Sequence, residues 1–157
     1  MLIFEYKCSL CEATYEITPE LMLCPNCEPG HKRGEPLKGV LEVELKGVPV
    51  SNNPLDYLPV EKKYFPDIPV GNTPLWHPER LIKKHKFPEL YFKDDGLNPT
   101  GSLKDRASIL VAAFARKNDI NEVVVASTGN AGSSMAGIGA ASGLKAKLFL
   151  PKSAPPA

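Results

Sequence analysis

Two pairs of cysteines open the chain, Cys8-x2-Cys11 and Cys24-x2-Cys27, with twelve residues between the pairs. A single CxxC is a redox motif as readily as a metal knuckle, but two at this spacing suit a pair of knuckles closing on one tetrahedral metal. Zinc is the expected ion. Iron, two disulfides or unbound thiols are the alternatives, and a reducing compartment disfavours the disulfides. Four thiolates fill the coordination sphere, so the expected role is structural. His31 is a spare ligand that the fourth cysteine makes unnecessary, and it reads as a surface residue.

The segment Asn98-Pro99-Thr100-Gly101-Ser102-Leu103-Lys104-Asp105-Arg106 carries a different chemistry. Ser102-x-x-Asp105 is a capping-box pattern, which predicts a helix that starts here and puts Lys104 in its first turn. A cation is unfavourable at that end of the helix dipole. Together with any burial, the field would depress the ammonium pKa and free an amine nucleophile able to form a Schiff base. The plainer alternative is that Lys104 points into solvent. A second loop, Ser127-Thr128-Gly129-Asn130-Ala131-Gly132-Ser133-Ser134, follows an apolar run and opens another helix. Its amides and hydroxyls suit an anion cradle at the carboxyl end of a sheet. Its small residues equally suit close helix packing, with Gly132, Gly137, Gly139 and Gly143.

These positions need elements to hold them. Leu103, Ala107, Leu110, Val111 and Phe114 form the apolar stripe of an amphipathic helix, with Arg116 and Lys117 in its last turn. Val123–Ala126 and Lys147–Leu150 read as strands, Leu90–Lys93 as a shorter one, and Ala131–Ser142 as a small-residue helix ended by Gly143. That alternation predicts an α/β fold with about three parallel strands and crossover helices. Such a sheet needs cover on both faces, so the pattern reads as the front of a larger fold. Val40–Leu45 alternates as a separate strand, and residues 47–88 hold eight prolines with no helical period, which predicts a draped connection.

Composition narrows the class. Over 157 residues the net charge is +1, with 43% hydrophobic and 24% charged residues, so nothing points to nucleic acid or to a membrane. There is no apolar run of spanning length and no signal-peptide pattern at the start, and a cytoplasmic location is expected. His77, His85 and the run Lys83–Lys86 read as surface, and Trp76 as a packing anchor.

Together the two loops resemble pyridoxal-phosphate enzymes of the tryptophan-synthase-β fold. Asn98–Arg106 and Ser127-Thr-Gly-Asn130 carry the likeness, with Val70-Gly-Asn-Thr-Pro-Leu75 similar to the start of that fold. The Asn-Pro-Thr-Gly prefix inclines it toward the threonine synthases, some of which carry a cysteine-rich extension. The resemblance implies that Lys104 holds pyridoxal 5'-phosphate as a Schiff base and moves protons at the substrate carbons. It implies that Asn130 binds the cofactor ring hydroxyl, and that Ser127, Thr128, Gly129, Asn130 and Ala131 receive the carboxylate of an amino-acid substrate. The implied reaction is O-phosphohomoserine and water to threonine and phosphate. A β-eliminating ammonia-lyase of the same fold is the alternative, and a noncatalytic zinc-ribbon fragment a further one. Leu103 replaces a usual Phe and Ala131 a usual Thr, while the glycine-rich loop for the cofactor phosphate is not found in the chain. The expected organisation is a zinc-ribbon-like segment at 1–46, a proline-rich connection at 47–88 that includes the start of the catalytic fold, and a partial cofactor-binding α/β domain at 89–157. This arrangement is expected to be inactive by itself, with room for a homodimer formed through the complete fold.

Overall fold

A computed structural model describes residues 2–32 and 34–154. The last three residues of the domain expected at 89–157 lie outside the described residues. The chain divides into two compact units, Met1–Lys62 and Lys63–Ala157.

The first unit is a three-stranded antiparallel sheet. Strand β1 (Leu2–Cys8) lies in the middle, with β2 (Thr14–Tyr15) on one edge and β3 (Leu41–Gly47) on the other. The strand expected at Val40–Leu45 thus begins one residue later and runs to Gly47. Its register pairs Phe4 with Leu45, Tyr6 with Val43 and Cys8 with Leu41, which gathers the apolar side chains and Cys8 on one face. The other face is charged: Lys46 binds Glu5 and Glu44, and Lys7 lies near Glu44. Little of the unit is truly interior. Ile3, Leu10, Met22 and Val43 are all exposed, whereas Cys8 and Cys24 are fully buried. The cysteines occupy the place of a hydrophobic core.

The second unit holds the helices. Strands β4 (Leu75–Trp76) and β5 (Phe92–Lys93) pair antiparallel around α1 (Glu79–His85). Then follow α2 (Asp105–Lys117), β6 (Glu122–Ala126), α3 (Asn130–Ser142) and β7 (Lys145–Phe149). Strands β6 and β7 are parallel, from Glu122–Lys145 to Ala126–Phe149, with α3 as the crossover. Ala112, Ala115, Met135, Ile138 and Leu144 form the core, with Val123, Val125 and Ala146 packed against it from the sheet. Val124 and Phe149 remain exposed.

Two expectations are corrected here. The strand near residue 90 is not the first of three parallel strands, because only Phe92 and Lys93 pair, and they pair antiparallel to Leu75 and Trp76. The proline-rich stretch is also not featureless. Pro54 opens a short 3-10 turn over Pro54–Tyr57, and Pro78 precedes α1. Proline ends regular structure but is well suited to starting it. Among the described residues, no helix is long and apolar enough to cross a membrane.

Candidate functional site

In the first unit the four cysteines converge. Their sulfurs all lie within 4.8 Å of one another, and none is in a disulfide. Cys8–Cys27 and Cys11–Cys24 are separated by 3.9 and 3.6 Å. A regular tetrahedron with metal–sulfur bonds of about 2.3 Å has edges of about 3.8 Å, so the donor set fits a thiolate-bound zinc. His31 is not in this group; its Nδ1 is buried with no hydrogen-bond partner among the described residues.

Local backbone chemistry shapes both knuckles. In the first, the amides of Leu10 and Cys11 point at Cys8 Sγ, 3.4 and 3.5 Å away, and Glu12 turns through positive φ. In the second, the amides of Cys27 and Glu28 donate to the Cys24 carbonyl. The residues leading into β3 tie the two together. The Gly39 carbonyl accepts from the Cys24 amide at 2.7 Å, and the Val40 carbonyl accepts from the Ser9 amide at 3.0 Å. Gly39 has φ +73°, and a Cβ there would lie 2.9 Å from Cys24 Cβ and 3.0 Å from Cys27 Cβ. Only glycine suits both the backbone and the space.

The cluster's electrostatics also favour a cation. Burial opposes ionisation of Cys24, yet hydrogen bonds from Tyr15, the Asn26 backbone and the other thiols outweigh it and lower its pKa to about 6. Burial and the hydrogen bonds with Cys11, Cys8 and Cys24 push Cys27 up to about 12. Tyr15, whose hydroxyl lies 3.2 Å from Cys24 Sγ, is likewise raised to about 12, chiefly by that hydrogen bond. The same cluster thus eases ionisation of Cys24 and opposes that of Cys27. A divalent cation bound among these sulfurs would favour the thiolate form of its ligands.

The second unit places Lys104 just before α2. It occupies the cap position with helical dihedrals and is exposed, and its ammonium has no hydrogen bond or ion pair among the described residues. The expected capping box is corrected. Ser102 Oγ accepts from the Lys104 amide at 3.1 Å, but Asp105 does not reach back to the Ser102 amide. Its carboxylate instead accepts from the Thr100 amide at 2.7 Å, the Thr100 hydroxyl and the Ser134 hydroxyl at 2.6 Å. Asp105 and Ser134 are wholly buried. Ser108 Oγ is 2.7 Å from Ser134 Oγ. Since Ser134 gives its one proton to Asp105, Ser108 is the donor to Ser134.

This network joins the starts of two helices. Asp105 at the beginning of α2 meets Ser134 near the beginning of α3, while Arg116 near the end of α2 donates to the Ser142 carbonyl at the end of α3. The helices therefore run in the same direction, and Lys104 and the Ser127–Ala131 loop sit at the same end of the pair. Thr128, Gly129 and Asn130 are exposed there, with Ser127 and Ala131 half-buried. Ser127 Oγ accepts from the amides of Gly129 and Gly132 at 3.2 and 3.1 Å, which sets the turn into α3. No hydrogen bond links the Lys104 side chain to this loop among the described residues.

A second brace holds the lysine segment from below. Arg106 makes a two-pronged pair with Asp95, with both contacts at 2.8 Å, and the Thr73 hydroxyl donates to the same carboxylate at 2.6 Å. Asn98 accepts from the Gly71 amide at 2.9 Å. The Arg106 guanidinium, then the Thr73 hydroxyl, hold the Asp95 carboxyl well below the usual carboxylate range. Val70–Leu75 and Asn98–Arg106, recognised separately in the sequence, are thus one construction. Sequence reasoning missed the Asp105–Ser134 link, Gly39 and Tyr15, because no spacing pattern announces partners that lie from nine to twenty-nine residues away.

Comparison with known proteins fits this second unit. Residues 67–157 match the family model described as pyridoxal-phosphate dependent enzyme. The threonine synthase of Methanosarcina acetivorans is 30% identical over 162 residues, covering 95% of this chain and 37% of that protein. That of Methanocaldococcus jannaschii is 39% identical over 99 residues, covering 62% of this chain and 24% of its own length. That of Bacillus sp. (strain ULM1) is 41% identical over 98 residues, covering 61% and 27% respectively. The chain thus spans well under half the length of the relatives it matches.

Proposed function

The chain belongs to the pyridoxal-phosphate dependent enzyme family, and from that premise we propose that it is part of a threonine-synthase-like enzyme. The reaction proposed for the whole protein converts O-phosphohomoserine and water to threonine and phosphate. The observation that carries this reading is the placement of Lys104, exposed and with no side-chain partner among the described residues, at the same end of the helix pair as the Ser127–Ala131 loop.

In this reading Lys104 holds the cofactor through its ε-amine and Asn130 hydrogen-bonds the ring. The cofactor, when bound, supplies an electron sink that stabilises negative charge at the substrate carbons. Lys104 Nζ takes the proton from the substrate α-carbon, and its exposed position leaves the amine accessible for that work. The amides at the start of α3, with Ser127 and Thr128, receive the substrate carboxylate where the helix dipole favours an anion. Asp105 does not touch substrate; it fixes the Thr100–Lys104 turn against α3. The cysteine cluster holds one structural zinc and substitutes for the core that the first unit lacks. Reduced thiols of this kind suit the cytoplasm.

The test is made on the complete protein. Phosphate release from O-phosphohomoserine is expected, and Lys104→Ala is expected to lower turnover by several orders of magnitude, because nucleophile and base are lost together. Ammonia release from serine or threonine without phosphate release would instead select the ammonia-lyase chemistry. Cofactor attached to another lysine, found by borohydride reduction and peptide mapping, would refute the role given to Lys104.

A further inference from the structure

Tyr15 is a side chain from outside the cysteine group that hydrogen-bonds to it. Its register is set by β1: Tyr15 pairs with Tyr6, so it lies on the same sheet face as Cys8. The first knuckle forms the turn between β1 and β2, yet the Tyr15 hydroxyl reaches the sulfur of a residue in the second, Cys24, at 3.2 Å. With a thiol at Cys24 either atom could be the donor. Once Cys24 is a metal-bound thiolate it has no proton, and Tyr15 must donate.

We propose that Tyr15 is an outer-sphere donor to the Cys24 thiolate that controls how firmly this centre keeps its metal; this rests on the reading of the cluster as a zinc site. A dication with four thiolates carries a net charge of about −2, so each sulfur is electron-rich and open to protonation. The knuckle amides of Leu10 and Cys11 relieve Cys8 of some of that charge. Tyr15 does the same for Cys24, a fully buried ligand that water cannot solvate. The phenol also braces the two knuckles against each other, since its strand belongs to the first and its partner to the second. Outer-sphere partners of this kind typically change metal affinity by ten- to a hundredfold.

The experiment uses the 157-residue chain loaded with zinc or cobalt, as wild type, Tyr15→Phe and Tyr6→Phe. Tyr6 shares the sheet face but has no hydrogen bond to the cluster, so its variant controls for loss of a hydroxyl alone. All three are expected to bind one metal per chain with unchanged circular dichroism. Tyr15→Phe is expected to release zinc to a chelator at least roughly tenfold faster. Its thiolate-to-cobalt charge-transfer band should move to lower energy, because Cys24 becomes the more electron-rich sulfur. A purely structural tyrosine would leave that band in place. Wild-type release kinetics and an unshifted band in Tyr15→Phe would overturn the proposal while leaving the zinc site standing. A wild-type chain that binds neither metal would overturn both.

Discussion

Replacing Asp105 separates two accounts of the lysine segment, one in which Asp105 merely caps α2 and one in which it is the joint between two helices. The carboxylate is wholly buried and accepts three hydrogen bonds, two from Thr100 and one from Ser134. A lost N-cap costs about 1 kcal/mol. Hydrogen bonds to a charged group are worth about 1.5–3 kcal/mol each, and a buried donor left unpaired costs about 1–3 kcal/mol. In Asp105→Ala the Ser134 hydroxyl can turn to Ser108, so the lasting losses are the Thr100 amide and the cavity; about 3–5 kcal/mol is expected. In Asp105→Asn the amide oxygen can still serve the Thr100 amide, and the hydroxyls can reverse to accept from the new NH2 group. About 1–2 kcal/mol is expected there. All three α-helices among the described residues lie in the second unit, so urea unfolding followed by helical circular dichroism reports on that unit. With a slope of about 1–3 kcal/mol per molar urea, Asp105→Ala should lower the midpoint by at least about 1 M, and clearly more than Asp105→Asn does. Equal shifts in the two variants, or a loss near 1 kcal/mol in both, would refute the joint and leave only a cap.

Three further outcomes follow from the same geometry. Gly39→Ala should weaken metal retention without changing the helical signal, since its Cβ would lie 2.9–3.0 Å from the Cβ atoms of Cys24 and Cys27 at a positive φ; metal analysis after dialysis reads this directly. Gly137→Ala should cost about 1–3 kcal/mol in urea unfolding, because its Cβ would lie 2.6 Å from Thr100 Cγ2 and push on the lysine segment. For Asp95, folding lowers the carboxyl pKa through Arg106 and then Thr73. The unfolded chain therefore takes up the proton first, at about pH 4, and the pair's contribution is complete above that pH and fades as pH falls further. Asp95→Asn should flatten the acid limb of the second unit's stability between pH 5 and 2, read as urea midpoints across that range.

How much of this was legible in the sequence depended on whether the partners were close in the chain. The cysteine pairs were readable because each knuckle is a local turn, and two such turns have few uses. Helix α2 was readable as a helix, but the face it buries is Asp105, Ser108, Ala112 and Ala115, while Leu103, Ala107 and Val111 of the expected stripe are exposed. The crossover β6–α3–β7 was readable from two short strand-like runs around a small-residue helix ended by Gly143. Strand β5 was misplaced because two residues carry no period, and what decides their pairing is α1 folding Leu75–Trp76 back onto them. Helix α1 was hidden by the prolines around it and by having only Leu81 and Ile82 as apolar residues.

Asp105 shows where local reading reaches its limit. Beside Ser102 it looks like half of a capping box, and the short-range pattern is real, since Ser102 does bond to the Lys104 amide. Yet beside the two hydrogen bonds from Thr100 the carboxylate takes a third from Ser134, twenty-nine residues away, and no one-dimensional spacing encodes that meeting. A buried carboxylate with no cation beside it is tolerable only if hydrogen-bond donors surround it. Once the helix pair is given, those donors have to come from Thr100 and α3. The same residue that looks like a helix start in sequence is thus, in the folded chain, what sets Lys104 and the Ser127–Ala131 loop at a common end. That common end is the geometric condition the proposed chemistry needs.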